Sequence, residues 1–181
     1  NTNEFENGDF KLIPIRDEDK YAILKMRNEQ IYHLRQAEPL TVEMQEVYFE
    51  NVVSALFERE KPNQILFSLL ENEELVGYGG LVHINWIDKN AEVSFIMKTE
   101  LEEDRFTYYW KNYLKLLEEV AFKDIKLHKI FTYAFDIRPH LYPVLEASGF
   151  HEEALLKEHC YYEGTYLNIV INSKINKDAE F

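Results

Sequence analysis

The sequence predicts a single α/β (α+β) domain over residues 1–181, a seven-stranded mixed sheet with helices on both faces. Three observations predict it. The chain has 181 residues, close to one domain of roughly 150, and it is 46% apolar and 14% aromatic, ample for a packed core. Its hydrophobic period switches between the helical 3.6 and the strand period of 2. One long helical segment joins two strands mid-chain, and such a crossover makes those strands parallel while their neighbours pair antiparallel.

Residues 10–15 read as a short strand, with Pro14 at an edge or strand end. Residues 17–35 read as a helix that Asp17 can cap, with Tyr21, Leu24, Ile31 and Leu34 near one face. Pro39 stops that segment. Thr41 then caps a second helix, 42–60, whose apolar stripe is Met44, Tyr48, Val52, Ala55 and Leu56. Pro62 and Asn63 end it. Residues 64–71, 75–86 and 91–97 read as three strands linked by Asn72-Glu73-Glu74 and Asp88-Lys89-Asn90, an antiparallel meander. A long helix follows at 104–122. Tyr108, Tyr109, Trp110 and Tyr113 at its start are spaced for core packing. Residues 129–135 form a strand, and 140–148 a short helix ended by Gly149. Strands at 150–162 and 165–175 meet across Glu163-Gly164, a strong hairpin signal. Where the parallel strands 91–97 and 129–135 splay, a ligand crevice can open.

Composition excludes several classes. With 33 acidic and 20 basic residues the net charge is −13, which opposes nucleic acid and anionic membranes as partners. No apolar run approaches the roughly 18 residues of a membrane span, and no signal peptide opens the sequence, so a cytoplasmic protein is expected. One Cys allows neither an internal disulfide nor a Cys-based zinc motif. The six His show no His-x-x-x-His spacing, so no metal site is expected. His159 and Cys160 are adjacent on a strand and face opposite ways, so they cannot act as a nucleophile–base pair.

Several local runs stand out: Gly-Tyr-Gly-Gly-Leu-Val-His-Ile-Asn-Trp at 77–86, Ala-Glu-Val-Ser-Phe at 91–95, Leu-His-Lys-Ile at 127–130, Leu-Glu-Ala-Ser-Gly-Phe at 145–150 and Glu-Gly-Thr-Tyr at 163–166. Together with the element order they resemble the GNAT superfamily of acyl-CoA-dependent N-acyltransferases. The likeness covers nearly the whole chain. It points to the branch of ribosomal-protein and nucleotide-sugar acetyltransferases, and Met-Arg-Asn-Glu-Gln at 26–30 is similar to a segment of bacterial sugar N-acetyltransferases.

The resemblance implies acetyl transfer from acetyl-CoA to a primary amine. The backbone of strand 91–97, including Phe95, Ile96 and Met97, would hold the pantetheine arm, and an N–H near Phe95 or Ile96 would polarise the thioester carbonyl. Glu92 takes the place of a carboxylate that often serves as general base, and Tyr142 lies one turn before the position of the usual tyrosine acid, here Leu145. The family's Gly-rich pyrophosphate loop is missing. Its glycines would fall at Phe106 and Tyr108 and its leading residue at Glu103. Arg105, with Phe106 and Thr107 at the helix start, and Arg138 in place of a common Asn, are the remaining cofactor-binding candidates.

Acceptor candidates are Arg27, Asn28 and Arg35 in the first helical region, and His83, Asn85 and Trp86 at a strand end. Two arginines can hold a phosphate or carboxylate, or simply form salt bridges. Sugars stack on Trp and hydrogen-bond to Asn and His, or these three form a hairpin shoulder. By the strand period His83 and Asn85 share a face. The expected acceptor is a small-molecule amine, an amino sugar and preferably a nucleotide-linked one. A protein N-terminus is the second choice, and a non-catalytic module that has lost the loop is the alternative class. The aromatic hairpin at 161–166 is a candidate homodimer surface.

Overall fold

A computed structural model describes residues 3–178. The expected α/β architecture is present, with eight strands in one sheet ordered β1-β2-β3-β4-β5-β6-β8-β7. These are β1 Phe5–Asn7, β2 Phe10–Pro14, β3 Ile65–Glu71, β4 Glu74–Asn85, β5 Asn90–Met97, β6 Lys129–Phe135, β7 His151–Tyr162 and β8 Thr165–Ile175. The strand beyond the seven expected is β1. It has three residues, too short to show a strand period, and turns into β2 through Gly8 at φ +60°. Among the described residues all pairings are antiparallel except β5 with β6.

Helices cover both faces. On one face α4 (Glu102–Glu118) and α5 (Leu141–Ala147) pack on the sheet. Phe106, Tyr109, Trp110, Tyr113, Leu114 and Leu117 are buried there at helical spacing, and they join Leu12, Phe67, Leu81 and Phe95 in the main core. Tyr113 stacks on Phe95 with ring centroids 3.9 Å apart and donates its hydroxyl to the Ser94 carbonyl at 2.6 Å. On the other face α1 (Lys20–Glu29), α2 (Val42–Tyr48) and α3 (Ser54–Leu56), with the turn between α2 and α3, supply Ile23, Met26, Phe49, Val53 and Leu56. None of the described helices is long and apolar enough to cross a membrane.

Three local expectations are corrected. Helix 17–35 is interrupted: 3₁₀ turns at Asp17–Asp19 and Ile31–His33 flank α1. Asp17 makes no cap bond. Asp19 is buried instead, taking Arg16 and the Ser68 hydroxyl. Thr41 caps α2 as expected, accepting from the Met44 N–H at 3.2 Å. The buried stripe, however, runs through Gln45, Phe49, Val53 and Leu56, and Met44 and Val52 are exposed. Gln45 Nε2 donates to the Lys20 carbonyl, which holds this face inward, and a π-helical turn follows over Phe49–Val53.

Candidate active site

The parallel pair β5–β6 is short. Asn90, Ala91 and Glu92 pair with Lys129, Ile130 and Phe131, and the strands then part. Beyond Glu92 this edge of β5 has no strand partner among the described residues. The gap opens into a cavity of about 490 Å³ lined by Val93–Ile96 of β5, Thr132–Phe135 of β6, and side chains from α1, α4 and α5. The crevice expected from the strand order is therefore where the geometry places it.

Glu92 stands at the split, with its side chain 8% exposed. Arg35 donates to its Oε1, and His83 Nε2 lies 3.6 Å from Oε2. Burial pushes the Glu92 carboxyl above its ordinary 4.5, against the opposing pull of Arg35 and His83. Arg35 also lies over the Tyr133 ring, 4.5 Å from its centroid. His83 reaches the cleft because β4 shifts register between Val82 and Asn85 and His83 takes φ +50°.

That bulge overturns the expected pairing of His83 with Asn85. Asn85 caps the turn after β4, accepting from the N–H groups of Ile87 and Asp88. Trp86 donates to the Pro62 carbonyl and borders a different cavity. Arg27 does line the site, donating to the Tyr78 hydroxyl at 2.7 Å and to Gln36. Asn28 holds the loop after α1 by a pair of 2.8 Å bonds with the Leu40 backbone.

The donor end is arranged differently from the expectation. No loop stands at 102–108, because α4 begins at Glu102. Arg138 is buried in the cavity wall. It grips Glu102 through Nη2 at 2.8 and 3.0 Å, donates from Nη1 to His33 Nδ1 at 3.1 Å, and leaves its own Nε without a partner. Arginine only donates, so His33 Nδ1 accepts and Nε2 carries the proton toward Gln30 Oε1, 3.1 Å away. Gln30 in turn donates to the carbonyl of buried Met97. This relay ties the end of β5 to the start of α4. Arg105 instead lies over Tyr108 and Tyr109 and 3.5 Å from Glu71. Phe106 is buried against Arg138, and Thr107 borders an outer cleft. Tyr142 does not line the cavity. Its hydroxyl donates to Asp136, and burial pushes its pKa well up. The tyrosine that lines the site is Tyr133, which sequence reasoning passed over.

Burial and the Arg138 cation push His33 down to about 3. Between that value and 6.5 the unfolded chain binds a proton that the folded chain refuses, so stability falls as pH drops through this window. Wild type is expected to lose more stability between pH 7 and pH 5 than His33→Gln, by about 1–2 kcal/mol in urea unfolding. Equal losses would show that His33 takes up its proton without penalty.

The donor group implied by this architecture fits in part. The unpaired β5 edge and the apolar walls Phe95, Ile96, Trp110 and Leu141 suit an acylated pantetheine arm. At the α4 N-terminus the preceding 3₁₀ turn already takes the Leu101 and Glu102 N–H groups, Glu102, Glu103 and Asp104 crowd the first turn, and Glu102 occupies Arg138.

Residues 12–171 match the family model described as Acetyltransferase (GNAT) domain. The chain belongs to the GNAT family and is an acetyl-CoA-dependent N-acetyltransferase. No curated protein matches it by sequence. Among solved structures it is similar to the spermidine N-acetyltransferase from Vibrio cholerae in complex with CoA and spermine. The TM-score is 0.76 at 22% identity, covering 93% of this chain and 96% of that one. Mutant forms of the spermidine/spermine N-acetyltransferase SpeG from the same organism give 0.76 at 21%, covering 93% and 95%. A dodecameric form of the Vibrio cholerae enzyme gives 0.73 at 22%, also covering 93% and 95%. At these identities the likeness shows the fold alone.

Proposed function

We propose that this chain acetylates the primary amine of an amino sugar, preferably a nucleotide-linked one, with Glu92 as general base. The observation that carries this is Glu92 itself, buried at the split between β5 and β6 with its carboxyl pushed up toward a useful basicity. Bound acetyl-CoA supplies an activated thioester. The chain's own part is to orient that arm along β5, exclude water with the apolar wall, and take the amine proton at a Glu92 oxygen. Tyr133, the one tyrosine among the cavity's lining residues, with its hydroxyl 3.9 Å from Cys160 Sγ, is the candidate proton donor.

Three arginines line the cavity, Arg35 paired with Glu92 and Arg138 with Glu102, and Glu92 is the one acid among its lining residues. In a chain of net charge −13 this concentration of positive charge favours an acceptor that bears phosphate. A polyamine acceptor is the second reading, since structures of the same fold are spermidine acetyltransferases. The cationic lining disfavours it. The exposed Tyr161–Tyr166 ring pair at the β7–β8 tip is offered as the homodimer surface, to be checked by light scattering of Tyr161→Ser.

Calorimetric titration with acetyl-CoA comes first, with a thermal shift on the same sample. Ligand at 100 times Kd adds about 2.7 kcal/mol of stability. Turnover is then compared for a nucleotide-linked amino sugar and spermidine. Preference for spermidine would replace the amino-sugar reading. Within the donor site, Glu102→Gln is expected to tighten CoA about tenfold by releasing Arg138 for a phosphate, and to leave pantetheine, which has none, unchanged. Unaltered CoA affinity would place the diphosphate elsewhere.

A further inference from the structure

We propose that Arg35 is an anion-operated latch on Glu92, so that the enzyme selects amines carrying a carboxylate or phosphate only a few bonds from the reacting nitrogen. The inference rests on the acetyl-transfer reading and narrows its acceptor.

Both outer approaches to Glu92 are covered. Arg35 holds Oε1, and His83 stands before Oε2. An amine approaching the carboxylate from this side meets one of them. The two differ in what can displace them. Arg35 presents a planar fork that a carboxylate or phosphate fits with two parallel bonds. Its side chain is 45% exposed while that of Glu92 is 8% exposed, so the arginine is the more open of the two to a solute.

Arg35 lies in the segment after the Ile31–His33 turn, outside helix and strand, and rests on the Tyr133 ring. Sliding along that ring keeps the stacking while the guanidinium turns from Glu92 to an incoming anion. Release of Oε1 also removes the cation that opposes the rise in Glu92's basicity. A bare cationic amine offers Arg35 nothing and is repelled by it, which would exclude polyamines at the base itself.

The test compares matched acceptors, glucosamine phosphate against glucosamine and alanine against alaninamide, in wild type and Arg35→Gln. Wild type is expected to favour the anionic member of at least one pair about tenfold or more in kcat/KM, and the favoured pair tells phosphate from carboxylate. Arg35→Gln is expected to abolish that preference, slowing the anionic acceptor and raising the neutral one. Equal use of both members by wild type, or an equal loss for both in the variant, would overturn the latch and leave Arg35 as a positioning residue for Glu92. A direct arm titrates inorganic phosphate and lactate by calorimetry. Binding to wild type that Arg35→Gln loses supports the latch even if no tested amine is acetylated, and binding that survives the substitution, or none to wild type, overturns it. Absence of acetylation with the donor bound would count against the acetyl-transfer reading alone.

Discussion

Glu92→Gln is expected to lower kcat by about 10²–10⁴-fold while CoA affinity stays unchanged, because the amide keeps the shape of the site and cannot accept the amine proton. Glu92 owes this role to its position. It is the last residue of β5 paired with β6, and its side chain is buried at the mouth of the cavity. A carboxyl raised above 4.5 must still lose its proton before it can act as base. Activity therefore falls as pH drops through the folded value, and the acid limb of kcat/KM lies above that of a free glutamate. Glu92→Gln should flatten that limb. Steady-state kinetics across pH, beside a CoA titration, reads both effects. Turnover at the wild-type rate would remove Glu92 from the mechanism.

Gly79→Val is expected to destabilise the fold by about 3 kcal/mol or more, lowering Tm by roughly 6–12 °C. A Cβ at Gly79 would lie 2.0 Å from the Ser94 carbonyl oxygen and 2.6 Å from the Tyr113 hydroxyl. Those two atoms form the bond that ties α4 to β5, so the side chain must push apart the strand and the helix that together wall the cavity. The cost combines overpacking with a broken buried hydrogen bond. Gly164→Asn is the control. A Cβ there meets nothing within 4 Å, and Asn tolerates the φ of +83° at the hairpin tip, so the change should stay within about 1 kcal/mol. Thermal unfolding of the pair checks this, and a Gly79→Val protein as stable as wild type would mean that α4 shifts at little cost.

Helices, strands and hairpins are short-range products of period and turn chemistry, and this chain states them openly. Glu163-Gly164 closes β7 on β8, and the run Phe106 to Leu117 buries one face of α4. What blurred was anything one residue can shift. The bulge after Val82 turns His83 into the cleft and leaves Asn85 to a turn, and the buried stripe of the second helix lies one residue away from the one expected. A strand's period of two loses its meaning once an extra residue enters, and no neighbouring residue announces the change.

The amino-acid sequence by itself determined the class of fold, the parallel step and the place of the crevice. It also singled out Glu92, Arg27, Arg35 and Arg138, which all line the cavity. Only the tertiary structure decided what those residues hold. Arg35 meets Glu92 across 57 positions and Arg138 meets Glu102 across 36. Tyr133, rather than Tyr142, joins the wall. Such pairings depend on where the sheet brings distant strands and loops together. A charged side chain takes whichever opposite charge the packed backbone places within reach.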